Sequence, residues 1–276
     1  MTYKNLSPAE KWKVLYENLF VKRDKEQTFE IISEGLDAFT ENAKQLLDKA
    51  EHLAKLNWYA IPNFLIATAN EEIAKFYIMV DACRLDFDKH KNILKRLCRA
   101  FYNHITKYAY TMTVRQHVYD LKHAKDYIEL YLTKYFRGDP QSGEPDMPHQ
   151  TYFGRDFNLY VDYIEYDKEW HIPEMEVPTL SLSDWEEFLF INPIWVSRKA
   201  LERLLYTCKE KLHTPEVLNI LNEIFKKHYI TEKTSNEDLN KIYQKVAEKI
   251  ENELKIPQDK FEKSALLEWP LYHFIS

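Results

Sequence analysis

The sequence predicts an all-α helical bundle that carries a short β-hairpin or extended arm and additional helices towards its C-terminus. Three observations support this fold class. The 276-residue chain contains only four Gly, which is few for a turn-rich β architecture. Apolar residues recur every three or four positions over most of the chain, the period of an amphipathic helix. The balance of 45% hydrophobic and 30% charged residues is typical of a soluble globular protein.

The first three helices follow from this apolar spacing. A capping pattern at residues 7–10 starts the first helix. In the second, apolar residues step alternately by four and three from Ile32 to Leu53, as in a helix packed lengthwise against a neighbour. The pattern stays in phase through Gly35, so we predict one continuous element. Residues 61–83 are apolar around most of a helix, which places this third helix in the core.

The next stretch, residues 89–119, differs from the rest of the chain in charge. It contains seven Lys or Arg and three His but no Asp or Glu, whereas the whole chain has a formal net charge of −6. We predict one helix here, with His104 on the buried stripe. Arg99 would lie about 140° from His104 around an ideal helix. The two side chains therefore converge only if the helix is irregular there or if Arg99 reaches round it. The alternative is that a second chain supplies the counterpart of each residue. A surface that carries only positive charge favours a negatively charged partner.

The remaining elements are predicted from composition. Apolar spacing indicates a helix at 114–136, and Gly and Pro indicate a loop at 137–148. β-branched and aromatic residues favour a hairpin or arm at 159–172. Further helices follow, and an apolar tail at 266–275 is expected to dock on the body. We predict three regions: the bundle at 1–136, the loop and hairpin insert at 137–180, and a C-terminal helical region packing on the bundle at 181–276.

The sequence does not indicate a membrane segment, secretion, a disulfide framework or any of the common catalytic motifs. The chain lacks an apolar run of membrane-spanning length, and its start lacks the pattern of a secretory signal. Three Cys without CxxC spacing fit reduced thiols in a cytoplasm and argue against a disulfide framework or a Cys-based zinc site. Gly-rich phosphate loops, Ser-His-Asp motifs and HExxH are missing from the sequence. We therefore expect a cytoplasmic protein without a membrane segment, metal or cofactor.

Four stretches in order, at residues 41–50, 59–75, 101–107 and 159–162, together resemble the AbiV family of bacterial abortive-infection proteins, which is grouped with the all-α HEPN superfamily. The resemblance covers roughly residues 36–176. It implies that the bundle is HEPN-like and that the protein forms a homodimer. It also implies phage defence as the biological role.

Many HEPN proteins are metal-independent RNases with an Arg-x4-6-His motif, and the resemblance carries these roles to Arg99 and His104. The sequence departs from the active pattern at Ala100, where a polar residue is usual, and at Ala74, where the family usually has Gly. Histidine can exchange a proton with an RNA 2′-hydroxyl or 5′-oxygen, and arginine can hold the scissile phosphate. The residues expected to bind RNA are Lys95, Arg96 and Lys107, and those expected to support the site are Glu71, Glu72 and Lys75.

Two interpretations of this region stay open at the level of sequence. In the first, the chain is an abortive-infection effector that stops translation in infected cells by cleaving or binding RNA, with a phage-encoded protein as its activator. In the second, it is a non-enzymatic helical module that blocks translation or senses a phage protein. His104 would then be a histidine at a helix interface, satisfied by Glu71 or Glu72, and the basic run a solvated helix face.

Overall fold

The computed structural model describes residues 8–56, 58, 60–115, 118–133, 162–164, 169–171, 194–228 and 230–275. Within these ranges the protein consists of α-helices, one 3-10 turn and one pair of short strands, so the predicted all-α class is confirmed. The helices are, in chain order, α1 (Pro8–Phe20), α2 (Lys25–Ala54), α3 (Ala60–Cys83), α4 (Lys91–Tyr102), α5 (His104–Arg115), α6 (Leu121–Thr133), α7 (Ile194–Lys209), α8 (Pro215–Phe225), α9 (Asn236–Leu254) and α10 (Gln258–Glu262).

The long helix α2 packs lengthwise on α3, as its apolar spacing predicts. It starts where the Asp24 carboxylate accepts a hydrogen bond from the backbone N–H of Gln27 at 2.9 Å, which caps the helix. It continues through Gly35 without interruption, so the prediction of one element is confirmed. The apolar side chains that α2 buries are Phe29, Ile32, Leu36, Ala43, Leu47 and Ala50.

The other helices surround this pair. Helix α5 packs against α3 and carries α6 on its other side, while α1 lies on α4. Helices α7 and α8 both contact α2 and α3, so the C-terminal part of the chain shares the same core. The boundaries at 136/137 and 180/181 lie outside the described residues, and the three-region division therefore stays a prediction.

The predicted helix at 114–136 is wrong at its start. Helix α5 ends at Arg115, and α6 begins only at Leu121. The cause is local, because the Asp120 carboxylate accepts a hydrogen bond from the backbone N–H of His123 at 2.7 Å and so caps a new helix.

Two three-residue strands, β1 (Asp162–Ile164) and β2 (Glu169–His171), pair antiparallel within the stretch where a hairpin or arm is expected. The residues between them, 165–168, lie outside the described residues, so the turn of the hairpin stays a prediction. The paired positions are Asp162 with His171, Tyr163 with Trp170, and Ile164 with Glu169.

A buried ion pair attaches the C-terminal tail to α3. Arg84 Nη1 donates to Asp81 Oδ1 at 2.6 Å, and both side chains are 2% exposed. Arg84 Nη2 also donates to the backbone carbonyls of Leu266 and Glu268, at 2.7 and 2.8 Å. Asp81 Oδ2 in turn accepts the backbone N–H of Leu271 at 2.9 Å. The pair thus satisfies backbone groups of the tail as well as its own charges.

Apolar contacts complete the docking of this tail, as the sequence predicts. Five of its large apolar side chains are buried, which adds hydrophobic stabilisation to the polar contacts. The buried tail residues are Leu266, Leu271, Tyr272, Phe274 and Ile275.

We predict that Arg84→Met lowers the free energy of unfolding by about 3–5 kcal/mol, because it leaves the Asp81 carboxylate buried without a countercharge. Urea unfolding followed by circular dichroism measures this change. The matched control is Lys89→Met, since the Lys89 side chain is 76% exposed and pairs weakly with Asp86 at 3.8 Å. Equal small effects of the two substitutions would show that the buried pair does not hold the tail.

Candidate functional site

The predicted site centres on a contact between α3 and α5. His104 Nδ1 lies 2.6 Å from Glu71 Oε1. The His104 side chain is 33% exposed, whereas that of Glu71 is 15% exposed. A carboxylate therefore holds one nitrogen of an imidazole whose ring still reaches the surface. Of the two partners that the sequence allows for His104, Glu71 and Glu72, the structure has Glu71.

A third residue completes this cluster from inside the protein. Lys107 Nζ contacts the other oxygen of Glu71, Oε2, at 2.6 Å, and its side chain is 5% exposed. Burial alone would raise the pKa of Glu71, but the hydrogen bond to His104 and the charge of Lys107 outweigh it and lower that pKa to about 2. Burial lowers the pKa of Lys107, and Glu71 opposes this shift. Glu71 is thus a carboxylate at every physiological pH.

A second ion pair lies beside the first on α3. Lys75 Nζ contacts Glu72 Oε1 at 2.6 Å, the i,i+3 pairing that the sequence suggests. The same ammonium lies over the rings of Phe39 and Phe101, at 5.8 and 5.5 Å from their centroids. Glu72 and Lys75 therefore form a supporting layer behind the Glu71 cluster.

The helix that was predicted to carry both Arg99 and His104 is in fact two helices. Asn103 has extended backbone angles (φ −99°, ψ 118°) and ends α4. Its side-chain oxygen accepts hydrogen bonds from the backbone N–H and the hydroxyl of Thr106, at 2.9 and 3.2 Å, which caps α5. The prediction of one continuous basic helix is therefore wrong, and His104 is the first residue of α5.

The Arg99 side chain lies against α1, which packs on α4. Its guanidinium carbon lies 4.4 Å from the centroid of the Trp12 ring, and Lys95 Nζ lies 5.4 Å from that of Tyr16. Arg99 and Lys95 thus rest on an aromatic face of α1, whereas His104 contacts α3. No sequence pattern points to Trp12, because the contact joins residues that are far apart in the chain.

Arg96 faces a different part of the protein. It lines a cleft of about 510 Å³ together with Lys125, Lys233 and His273. Its Nε is buried and makes no hydrogen bond within the described part of the chain. Burial lowers the pKa of His273 to about 4, and the charges of His90 and Arg96 add to this effect. Arg96 therefore lies beside the C-terminal tail and not on the α1 face.

The expected role of Lys107 as a phosphate ligand needs correction. Lys107 is 4% exposed, and its ammonium is held by Glu71. A side chain buried and paired in this way cannot reach an RNA backbone without breaking the ion pair. The structure thus brings together His104, Glu71 and Lys107, with Glu72 and Lys75 behind them, and separates Arg99 and Lys95 from Arg96.

Comparison with known families agrees with this architecture. The sequence model of the HEPN-type AbiV family matches residues 31–179, which is more than half of the chain. The chain belongs to the AbiV family. The matched region contains α3, α4 and α5 and therefore the whole Glu71–His104 cluster, whereas Trp12 on α1 lies outside it.

AbiV membership indicates an abortive-infection function of the RNase-like HEPN type. Searches of curated proteins and of solved structures returned no match. None of the helices among the described residues combines the length and the apolar character needed to span a bilayer.

The depressed pKa of Glu71 predicts an acid-sensitive contribution to stability. Because the folded-state pKa lies below the ordinary value of 4.5, the stabilisation is complete above about pH 5 and is lost as the pH falls towards 2. Between pH 6 and pH 3, wild type should lose about 2 kcal/mol more unfolding free energy than Glu71→Gln. Urea titrations at each pH measure this loss. Glu30→Gln, an exposed substitution on α2, should keep the wild-type slope, and the same slope in Glu71→Gln would contradict the assignment.

Proposed function

We propose that this AbiV protein stops translation in phage-infected bacteria by cleaving RNA without a metal ion, with His104 as the proton-transfer group. The observation that carries the proposal is the 2.6 Å contact between His104 Nδ1 and Glu71 Oε1 on a partly exposed ring. A carboxylate behind a surface histidine fixes its tautomer and orientation, as in other acid–base sites.

The chemistry follows from the residues of the cluster. With Nδ1 held by Glu71, Nε2 is the nitrogen that exchanges a proton with substrate. It takes the proton of a 2′-hydroxyl, which then attacks the adjacent phosphorus, or gives one to the departing 5′-oxygen. The requirement for a 2′-hydroxyl selects RNA over DNA. Lys107 does not touch substrate in this scheme; it positions Glu71 from within the core.

Arg99 is the proposed phosphate ligand. It is exposed, and its guanidinium lies against the Trp12 ring. An arginine on an aromatic ring keeps N–H donors in the plane of its guanidinium, and those of the exposed Arg99 are the proposed donors to an anion. Lys95 lies on the same face of the protein and adds positive charge for a neighbouring phosphate. Arg96 faces the separate cleft and would act there only on a longer RNA.

The proposal includes a homodimer in the cytoplasm. Within one chain, Arg99 contacts α1 and His104 contacts α3, so a second chain that supplies the opposite residue would complete each site. A phage-encoded protein is the proposed activator, because an RNase of this kind must stay inactive in uninfected cells.

A second candidate function is favoured by the same separation of Arg99 and His104. If the two residues never meet, the protein acts as a non-enzymatic module that binds a phage or host protein and blocks translation. His104 is then a structural histidine that joins α5 to Glu71 on α3. RNA integrity distinguishes the two functions.

We predict that His104→Ala abolishes both toxicity and RNA cleavage when the protein is expressed in bacteria. A loss of at least 100-fold in cleavage is the usual size for removal of a general acid–base group. Growth and the integrity of tRNA, rRNA and mRNA are followed together, and circular dichroism confirms that the variant is folded. The control is His52→Ala, an exposed histidine on α2, which should behave as wild type.

Intact RNA during wild-type toxicity would overturn the nuclease proposal and support the binding module. Toxicity that persists in folded His104→Ala would do the same.

A mixing experiment tests the dimeric site. Arg99→Ala and His104→Ala should each be inactive, but their 1:1 mixture should regain about a quarter of wild-type cleavage, since half of the dimers then hold one intact site built from both chains. Cleavage of a labelled RNA by the mixed, refolded proteins measures this recovery. Recovery that stays at the level of the single variants would place both residues of a site in one chain.

A further inference from the structure

Three metal-binding types of side chain meet on the side of α2 that faces α7. Asp37 lies on α2, Cys208 on α7 and His213 in the turn between α7 and α8. One carboxylate oxygen, the Sγ and one ring nitrogen lie within 4.8 Å of one another. The group is separate from the Glu71–His104 cluster.

The end of α7 is built so that His213 returns to Cys208. Lys211 adopts left-handed backbone angles (φ 55°), which reverses the chain directly after the helix. The N–H of Lys211 donates to the carbonyl of Cys208 at 3.0 Å, and that of Leu212 donates to the carbonyl of Thr207 at 2.9 Å. This closed turn holds the imidazole beside the thiol five residues earlier.

Within the described part of the chain, protein atoms satisfy only one ring nitrogen of His213. His213 is 6% exposed. Its Nε2 lies 2.9 Å from Asp37 Oδ2, but its Nδ1 is buried and makes no hydrogen bond within the described residues.

We propose that Asp37, Cys208 and His213 bind one Zn²⁺ ion, with water in the fourth position. Thiolate, imidazole and carboxylate are the three ligand types that zinc takes from proteins. Ligand atoms of a tetrahedral zinc ion lie roughly 3.5 Å apart, so a small shift of the side chains closes the site. The Asp37 carboxylate is 59% exposed, which leaves it able to move and leaves the ion a route from solvent.

The surroundings of Cys208 argue against a nucleophilic cysteine. The Cys208 thiol donates to the hydroxyl oxygen of Thr40 at 3.5 Å, and this hydroxyl donates in turn to the backbone carbonyl of Leu36 at 2.8 Å. Burial raises the pKa of the Cys208 thiol to about 12, so the metal-free thiol is a poor nucleophile.

The ion would join two parts of the chain. Asp37 belongs to the region matched by the AbiV family, residues 31–179, whereas Cys208 and His213 lie beyond it. Zinc would therefore fasten the α7–α8 turn to α2, and this role does not depend on the proposed RNase activity. The spacing of Cys and His in the sequence gives no sign of the site, because its third ligand is 171 positions before Cys208 (208 − 37).

Metal titration of the full chain, stripped with a chelator and reduced, tests the site. We predict that one Co²⁺ binds per chain and produces thiolate-to-metal charge-transfer absorption, which Zn²⁺ displaces. Zn²⁺ at a hundredfold excess over its Kd should raise the melting temperature by roughly 5 °C.

Variants assign the ligands. Cys208→Ser should remove the charge-transfer band, and Asp37→Asn should weaken Co²⁺ binding at least tenfold. Because Asp37 is exposed, its substitution tests the site even if a change at the buried His213 prevents folding. Glu34→Gln, an exposed acid one turn earlier on α2, should bind as wild type. A band that survives Cys208→Ser, or a melting temperature unchanged by Zn²⁺, would overturn the proposal and leave Asp37 and His213 as a simple side-chain contact.

Discussion

Buried carboxylates on α3 are the constraint that positions the elements around it. The helix is apolar over most of its surface, yet the side chains of Glu71, Glu72 and Asp81 are only 15%, 10% and 2% exposed. A carboxylate at such depth is tolerated only where cations and hydrogen-bond donors surround it. Those partners come from Lys75 on the same helix, from α5 and from the C-terminal tail. The charges of α3 therefore determine where α5 and the tail dock, and the histidine at the start of α5 follows from that docking.

Much of this arrangement is encoded locally and can be predicted from the sequence. The alternating spacing in α2 predicts one long helix through Gly35, because a single Gly costs less than the packing on both sides gains. Charged residues in the middle of an apolar helix predict that α3 has polar partners, and one of them, His104, lies on the facing helix as that argument expects. Family resemblance adds the role of this histidine, which periodicity cannot supply.

Other features depend on contacts that no local pattern encodes. A capping residue competes with helix propensity at Asn103, whose side-chain oxygen accepts two hydrogen bonds from Thr106 and so starts α5 as a separate helix. The stacking of Arg99 on Trp12 joins positions 87 residues apart (99 − 12), so the direction of Arg99 depends on how α1 packs. Lys107 looks like part of a solvated basic face until the position of α3 is known. The number of charged residues in a stretch of sequence does not reveal which of them are paired inside the core.

The attachment of the tail to Arg84 also has a consequence for the order of synthesis. Arg84 leaves the ribosome 182 residues before Leu266, whose carbonyl it binds. At ordinary elongation rates the delay is roughly 10–35 s. During that time the charged pair on the nascent bundle lacks its backbone partners in the tail. A chain that ends upstream of Leu266 would keep this charged pair without those partners, so the last residues to be made are also the ones that finish the solvation of its oldest buried charges.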